Sequence, residues 1–564
     1  MKALPKLIAA SICFSLSLIA AAETPPRHQP NILLLVADDL GYSDLGAMGS
    51  EINTPNLDKL IAEGRLLLDF HSAPSCSPTR AMLMTGNDQH LSGIGMMVET
   101  RDRMFANQTI RPGYEGTLQG EAVTLAELLR DAGYKTFIAG KWHLGKLPEQ
   151  QPQNRGFEES YVVLEGGAAN FKQTEMAIMP NYSATFVHNG QPLSLPDTYY
   201  STTYFTDRLI DATRAAHQEN KPFFAFAAYT SPHWPLQAPD DYLKKYKGRY
   251  DQGYEVIAEE RLAKQKKLGL LPADFEGKAV FENVPAWNTL SDEEKRRSAR
   301  TMEAYAAMVD SLDHEIGRLL EHLKETGEYD NTLILFMSDN GPEAVSREKA
   351  VSAWVEKQNF DNSLENIGRP NSFVTYGPAW AQVSAQPGRR YKQTIFEGGI
   401  RVPAFVHFPA RIAKGVSREF ASARDVMPTF LELAGVEHPG IRYQNRAVVP
   451  PQGSSMLPYL SGVEPRIHGS SRAMGWEQDG SAALRRGNLK LVYAPKATGK
   501  QWRLYDLSVD PSEQNDLAPQ RPDQVKDLLM DWRQYAQSNN ISVDKHGVPH
   551  FPALVRSADK APAL

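Results

Sequence analysis

The stretch Asn31-Ile-Leu-Leu-Leu-Val36, closed by Asp38-Asp39, decides how the chain is read. An unbroken apolar run without polar alternation is what a strand buried on both faces requires, and such strands belong to parallel sheets covered by helices. Comparable runs recur at 223–228, 332–337 and 402–408. Helix signals lie between them. Thr54-Pro55 reads as an N-cap and first helical residue, with Gly64 as the stop. Thr124-Leu-Ala-Glu127 is a capping box opening a helix that ends at Gly133, and residues 134–139 follow as a strand. Met308, Leu312, Ile316, Leu319 and Leu323, spaced by three and four, form one buried face of a longer helix. Strands alternating with amphipathic helices predict an α/β layered domain with a central, mostly parallel or mixed sheet flanked by helices. Reactive groups in such sheets collect beyond the carboxyl ends of the strands. The polar clusters fall there: Asp38-Asp39, Lys141 to His143, His233 and Asp339-Asn340.

From about Gly440 the alternation weakens, and 482–492 with 501–507 read as short strands joined by turns. A smaller C-terminal α+β unit with an antiparallel sheet is expected there. The predicted organisation is a signal over 1–22, the main domain over 23–440 and the C-terminal unit over 441–564. The 564 residues are 41% apolar and 23% charged, with a net charge of −6, which excludes disordered, collagenous and multi-span membrane classes. Sixty-one basic against 67 acidic residues give no whole-chain attraction to nucleic acid.

The first residues are basic (Lys2, Lys6), an apolar run from Leu7 follows, and Ala20-Ala21-Ala22 precedes Glu23-Thr24-Pro25-Pro26. That is the pattern of a cleavable export signal, short for a membrane span, and it predicts a periplasmic or secreted protein without stable membrane insertion. Cleavage near Ala22 removes Cys13, leaving Cys76 as the one cysteine. Exported proteins usually use cysteines in pairs, so a single one needs a reason; a buried small hydrophobe is the plain alternative.

Cys76 stands in Pro74-Ser-Cys76-Ser-Pro78-Thr-Arg80, followed by Thr85-Gly86. Pro78 suits the first turn of a helix, which puts Cys76 just before a helix N-terminus, where free N–H groups favour anions, with Arg80 able to point back to the same spot. Cys-x-Pro-x-Arg followed by Thr-Gly resembles the type I sulfatases, whose cysteine is oxidised to formylglycine. Gly140-Lys141-Trp-His143-Leu-Gly145, Ser231-Pro-His233-Trp-Pro235, Ser338-Asp339-Asn340-Gly341 and the segment from Lys392 through Glu397-Gly-Gly to Pro403 resemble the remaining site motifs in family order. Asp425-Val-Met-Pro-Thr429, Ala483-Leu-Arg485 and Leu504-Tyr-Asp-Leu507 extend the likeness, which is strongest to bacterial arylsulfatases of the Pseudomonas type. Taken singly, each motif has a bland alternative: Asp38-Asp39 as turn formers, Asn340-Gly341 as a hairpin turn, Glu397-Gly-Gly as architecture.

The resemblance implies an alkaline-phosphatase-like fold and an enzyme that hydrolyses a small-molecule sulfate ester. It implies one calcium ion held by Asp38, Asp39, Asp339, Asn340 and modified residue 76, a set rich in the oxygen donors a hard cation prefers; spacing alone does not separate calcium from magnesium. It further implies that residue 76, as 3-oxoalanine (formylglycine) made by a maturation enzyme, is the nucleophile. Arg80 and Lys141 then stabilise it, and His143 is the base that releases sulfate. His233 and Lys392 bind sulfate oxygens and protonate the leaving alcohol. Two alternatives stay open: a carbohydrate sulfatase, and a phosphonate monoester or phosphodiester hydrolase of the same superfamily. Aromatic residues in Phe373-Val-Thr-Tyr-Gly-Pro-Ala-Trp380 are expected to wall the substrate pocket.

Overall fold

The computed structural model describes residues 29–105, 109–272 and 275–550. The predicted export signal at 1–22 lies outside the described residues. The main sheet has ten strands. In chain order they are β1 (Asn31–Ala37), β2 (Arg65–Leu67), β3 (Lys135–Lys141), β4 (Glu159–Val163), β5 (Phe186–His188), β6 (Gln191–Pro192), β7 (Phe223–Ala228), β8 (Thr332–Ser338), β9 (Ala404–His407) and β10 (Gly415–Ser417). Their order across the sheet is β10-β2-β9-β8-β1-β7-β3-β4-β5-β6.

β1 lies at the centre, parallel to β7 on one side and β8 on the other. All its residues are buried, as its apolar run requires. Ile32, Leu34 and Val36 belong to the core on one face of the sheet, and Leu33, Leu35 and Ala37 to the core on the other. The helices divide accordingly. Among them, in chain order, are α1 (Pro55–Glu63), α2 (Cys76–Thr85), α3 (Val98–Phe105), α4 (Leu125–Asp131), α5 (Ser201–Gln218), α6 (Asp292–Glu325), α7 (Val426–Ala434) and α8 (Pro522–Ser538). The apolar faces of α5 and α6 fill one layer, and those of α2, α4 and α7 the other. α6 carries the Met308–Leu323 stripe on its buried face. The capping box of α4 is formed on both sides, Thr124 and Glu127 each accepting the other's backbone N–H.

Register brings four strand ends to one line. Val36 pairs with Ala228, Ala37 with Ser338, and Gly140 with Ala228. The residues that follow, Asp38, Asp339 and the Lys141–His143 turn, therefore emerge side by side. The Asn340-Gly341 hairpin alternative does not hold, because β8 runs parallel to β1 and its antiparallel neighbour β9 comes from residues 404–407.

The C-terminal antiparallel sheet joins β11 (Ala473–Gln478), β12 (Ser481–Arg486), β13 (Leu489–Tyr493) and β14 (Trp502–Asp506) in sequence order. One face packs on α8 through Leu484, Leu491, Leu504, Leu528 and Trp532, and the other joins the core of the main sheet through Met474, Trp476, Ala483 and Val492.

Candidate active site

α2 begins at Cys76, so the cysteine is the first helical residue rather than the one before the helix. Ser75 is the N-cap, yet its hydroxyl donates to Gln478 Oε1 and does not cap the helix. Every residue of α2 is buried, which fixes the Cys76 and Arg80 side chains against the strand ends.

Cys76 Sγ donates to Asp38 Oδ1 at 3.4 Å and lies 3.9 Å from Asp39 Oδ1. One ligand atom from each of Asp38, Asp39, Cys76 and Asp339 falls within 4.8 Å of every other. Three cations interleave with these acids. Arg80 donates through Nε (3.1 Å) and Nη2 (2.8 Å) to Asp339 Oδ2, and through Nη1 to the Lys141 carbonyl at 2.8 Å. Lys141 Nζ donates to Asp38 Oδ2 at 2.7 Å. Lys392 Nζ donates to both oxygens of Asp39, at 2.7 and 2.9 Å. Asp39 and His143 both take left-handed backbone angles, φ 66° and 58°, a cost that non-glycine residues bear chiefly where position matters.

The electrostatics follow from this packing. Burial raises the Asp38 carboxyl, but Lys141, Arg80 and Lys392 outweigh it and hold Asp38 below its ordinary value. Asp39 goes the other way, to about 7: burial raises it, Lys392 opposes, and Asp38, Glu343 and Asp339 add to the rise. Burial, reinforced by Asp339, lifts the Cys76 thiol well above its ordinary value despite Lys141 and Lys392. His233 is pushed well below the ordinary histidine value by burial, then by Lys392 and Lys141. Its Nδ1 lies 2.6 Å from the Trp234 carbonyl and its Nε2 lies 3.6 Å from Asp39 Oδ2. The resting histidine is therefore neutral.

The donors fit a hard cation. Asp39 is short of positive charge even with Lys392 upon it, and Asn340 Oδ1 is a buried oxygen with no hydrogen-bond partner, while Asn340 Nδ2 donates to Asp39 Oδ1 at 2.7 Å. Asp38, Asp39, Asp339 and Asn340 offer oxygens, which calcium or magnesium prefers.

A cavity of about 110 Å³ lies over this cluster, lined by Cys76, His143, His233 and Lys392 at its base. Met97, Ile178, Met179, Tyr182 and Trp234 give it an apolar wall, and Arg103, Glu343 and Arg347 polar corners. Asp38, Asp39, Cys76, Arg80, Lys141, His143, His233, Asp339, Asn340 and Lys392, the residues given site roles from the sequence, thus meet at one place. The expected aromatic wall at 373–380 is not part of it. Trp380 is fully buried and donates to Ser298, and Phe373 packs edge-on behind Trp234.

Three participants escaped the sequence reading. Glu343, four residues past Asp339, sits 3.8 Å from Lys392 Nζ. Arg347 lies over the Trp234 ring, which itself stacks on His233. Glu99, at the start of α3, holds His143 Nε2 at 3.2 and 3.1 Å. Glu343 had a signal in its closeness to the Asp339 motif; Glu99 had none.

The sulfatase family pattern matches residues 30–436. The chain is 44% identical over 524 residues to an uncharacterized sulfatase of Schizosaccharomyces pombe, covering 91% of this chain and 94% of that one. It is 36% identical over 475 residues to the arylsulfatase of Klebsiella aerogenes, covering 83% and 98%. Among solved structures it is similar to Ps i-CgsB, with a TM-score of 0.66 and 26% identity over 91% of this chain and 94% of that chain; that protein has also been solved in complex with k-i-k-neocarrahexaose. Strand ends that gather acids, cations and one cysteine beneath a cavity, with a family match over most of the chain, lead to one conclusion: this chain belongs to the sulfatase family.

Proposed function

We propose that the protein is an exported, calcium-dependent arylsulfatase that hydrolyses aryl sulfate esters to a phenol and sulfate through a formylglycine hydrate made from Cys76. The observation that carries this reading is the place of Cys76: the first residue of α2, buried against Asp38 and Asp39 within the cluster of acids that suits a cation. Burial and the neighbouring carboxylates push the thiol well above its ordinary value, which disfavours the thiolate a cysteine nucleophile needs. Sulfur is also a poor neighbour for a hard cation. A maturation enzyme with its own oxidant removes two electrons from the Cβ–Sγ unit, and water then replaces sulfur, released as sulfide, to leave an aldehyde. Hydration places two oxygens where the sulfur stood.

Asp38, Asp39, Asp339 and Asn340 would hold the calcium ion, which would supply Lewis acidity to the site. The chain's own residues do the rest. Arg80 and Lys141 set positive charge beside residue 76, and Lys392 is placed to bind a sulfate oxygen, as a transition state with charge spread over several oxygens requires. His233 is neutral at rest because Lys392 and Lys141 face it after burial has lowered it. An anionic ester offsets those charges, so substrate binding itself favours the proton that the leaving oxygen receives.

The apolar wall of Met97, Ile178, Met179, Tyr182 and Trp234 suits an aromatic ring, and the Klebsiella relative is an arylsulfatase. A carbohydrate sulfatase is the second reading, supported by the complex of Ps i-CgsB and by the polar corners at Arg103, Glu343 and Arg347. Export rests on the pattern of residues 1–22, which ends in Ala20-Ala21-Ala22. The test is sulfate release from nitrophenyl sulfate, a nitrophenyl phosphonate ester and a sulfated oligosaccharide, each with and without chelator, beside the mass of the peptide holding residue 76. An intact thiol in active protein, or full activity in Cys76→Ala, refutes the mechanism. Faster turnover of the phosphonate or the oligosaccharide refutes the substrate.

A further inference from the structure

Glu99 opens α3, a short polar helix that no site motif touches. Both of its oxygens reach the same nitrogen, His143 Nε2, at 3.2 and 3.1 Å, and its side chain is only 14% exposed. A carboxylate accepts hydrogen bonds and donates none, so Nε2 carries a proton toward Glu99 and Nδ1 is the ring nitrogen left to exchange one. Burial would raise the Glu99 carboxyl, yet His143, by charge and hydrogen bond, holds it at about 2, so it remains ionised.

His143 Nδ1 is buried without a hydrogen-bond partner, although a buried acceptor left unpaired is costly. The ring lines the same cavity as Cys76. Gly166 packs against the pair: a Cβ there would stand 2.9 Å from His143 Cε1, 3.1 Å from Nε2 and 3.3 Å from Glu99 Oε1. The absence of a side chain at 166 lets the carboxylate and imidazole close on each other. The backbone adds a third restraint, His143 N–H donating to the Leu164 carbonyl at 3.2 Å.

We propose that Glu99 is the positioning residue for His143: it fixes the tautomer and the ring plane so that Nδ1 is the nitrogen that takes a proton in sulfate release. This rests on the sulfatase mechanism proposed above. Once the phenol has left, residue 76 carries the sulfo group on one oxygen and a hydroxyl on the other. Nδ1 takes the hydroxyl proton, the C=O bond forms, and the C–O bond to sulfate breaks with its electron pair leaving on sulfate. Water then adds to the aldehyde. An imidazole oriented by a carboxylate serves hydrolases in the same way.

Two measurements test this. In Glu99→Gln the amide leaves either nitrogen free to carry the proton. The expected result is a kcat about a hundredfold lower with KM falling in step, so that kcat/KM is nearly unchanged, and a burst of one equivalent of phenol before a slow steady state. The burst shows that S–O cleavage survives while sulfate release is slowed. Glu99→Asp is expected to recover part of the rate. A kcat within about twofold of wild type, or a fall without a burst, overturns the proposal. Independently, 15N NMR of histidine-labelled Cys76→Ala protein, which cannot turn over, is expected to show His143 with an unprotonated Nδ1 and to lose that preference when Glu99→Gln is added. An unchanged tautomer overturns the proposal whatever the kinetics. Should wild-type enzyme release no sulfate from any ester, the functional reading falls, and the NMR comparison still decides whether Glu99 sets the ring.

Discussion

Lys392 holds both oxygens of Asp39, at 2.7 and 2.9 Å, from 353 positions further along the chain. The same carboxylate belongs to the cluster of acids around Cys76. One ammonium does not satisfy it, since Asp39 still rises to about 7 under burial and the neighbouring acids. A divalent cation would supply the missing charge.

Calcium is therefore expected to raise the melting temperature of chelator-treated protein. A ligand at one hundred times its Kd adds about 2.7 kcal/mol. Asp39→Asn and Asp339→Asn should abolish the calcium-dependent rise, whatever each change does to the melting temperature of the metal-free protein. Scanning calorimetry across a calcium titration makes the comparison, with magnesium run in parallel. A melting temperature indifferent to both ions would remove the metal site.

Arg80 makes a three-point contact in the cluster, Nε and Nη2 converging on one Asp339 oxygen while Nη1 holds the Lys141 carbonyl. Lysine keeps the charge but has no such fork. Arg80→Lys is expected to lose about 3–5 kcal/mol, because Asp339 stays buried and poorly paired, and to lower kcat by about a hundredfold or more. Urea denaturation and sulfate release measure the two effects. Unchanged stability would mean that the pairing contributes nothing net.

Much of this was legible in the sequence because the chemistry sits at strand ends. The run at 31–36 can only be a central strand, and the acids that close it must emerge at its carboxyl end. The cysteine, the lysines and the histidines were legible through short motifs with fixed spacing. Glu99 was not, since its partner His143 is 44 residues away and α3 looks like any polar surface helix. The aromatic stretch at 373–380 misled for a related reason: a tryptophan that fills a core and one that walls a pocket read alike, and Trp380 packs against Tyr250, Tyr254 and Trp287 instead.

Gly140 shows why the residue before Lys141 is glycine. It sits inside β3 with φ 125°, and a Cβ there would lie 1.8 Å from the Ala228 carbonyl oxygen on β7. The strands can approach, and Lys141 can reach Asp38, only without that carbon. Gly140→Ala is expected to cost about 3 kcal/mol or more through strain and lost pairing, and to lower activity even below the melting transition. Chemical denaturation and turnover of the folded fraction check both. A variant of native stability would show that the sheet yields there.

The link between the helix that carries Cys76 and the C-terminal sheet has its own pH dependence. His90, just beyond α2, bonds Asp88 at 2.7 Å and Glu477 of β11 at 3.1 Å. Burial would lower its pKa, but Asp88, by charge and hydrogen bond, and then Glu477 raise it from 6.5 to about 9. A pKa raised on folding stabilises in full below the unfolded value and fades as pH climbs through the folded one. The contribution, about 3 kcal/mol at most for a shift of this size, is thus complete below pH 6.5 and gone above about pH 9. His90→Gln keeps hydrogen bonding but no charge. It should lower stability at pH 6 by about 1–3 kcal/mol and flatten the loss of stability between pH 6.5 and about 9. Urea melts at pH 6 and pH 9 decide the matter: if wild type and variant fall in parallel between the two, His90 is not the group that titrates.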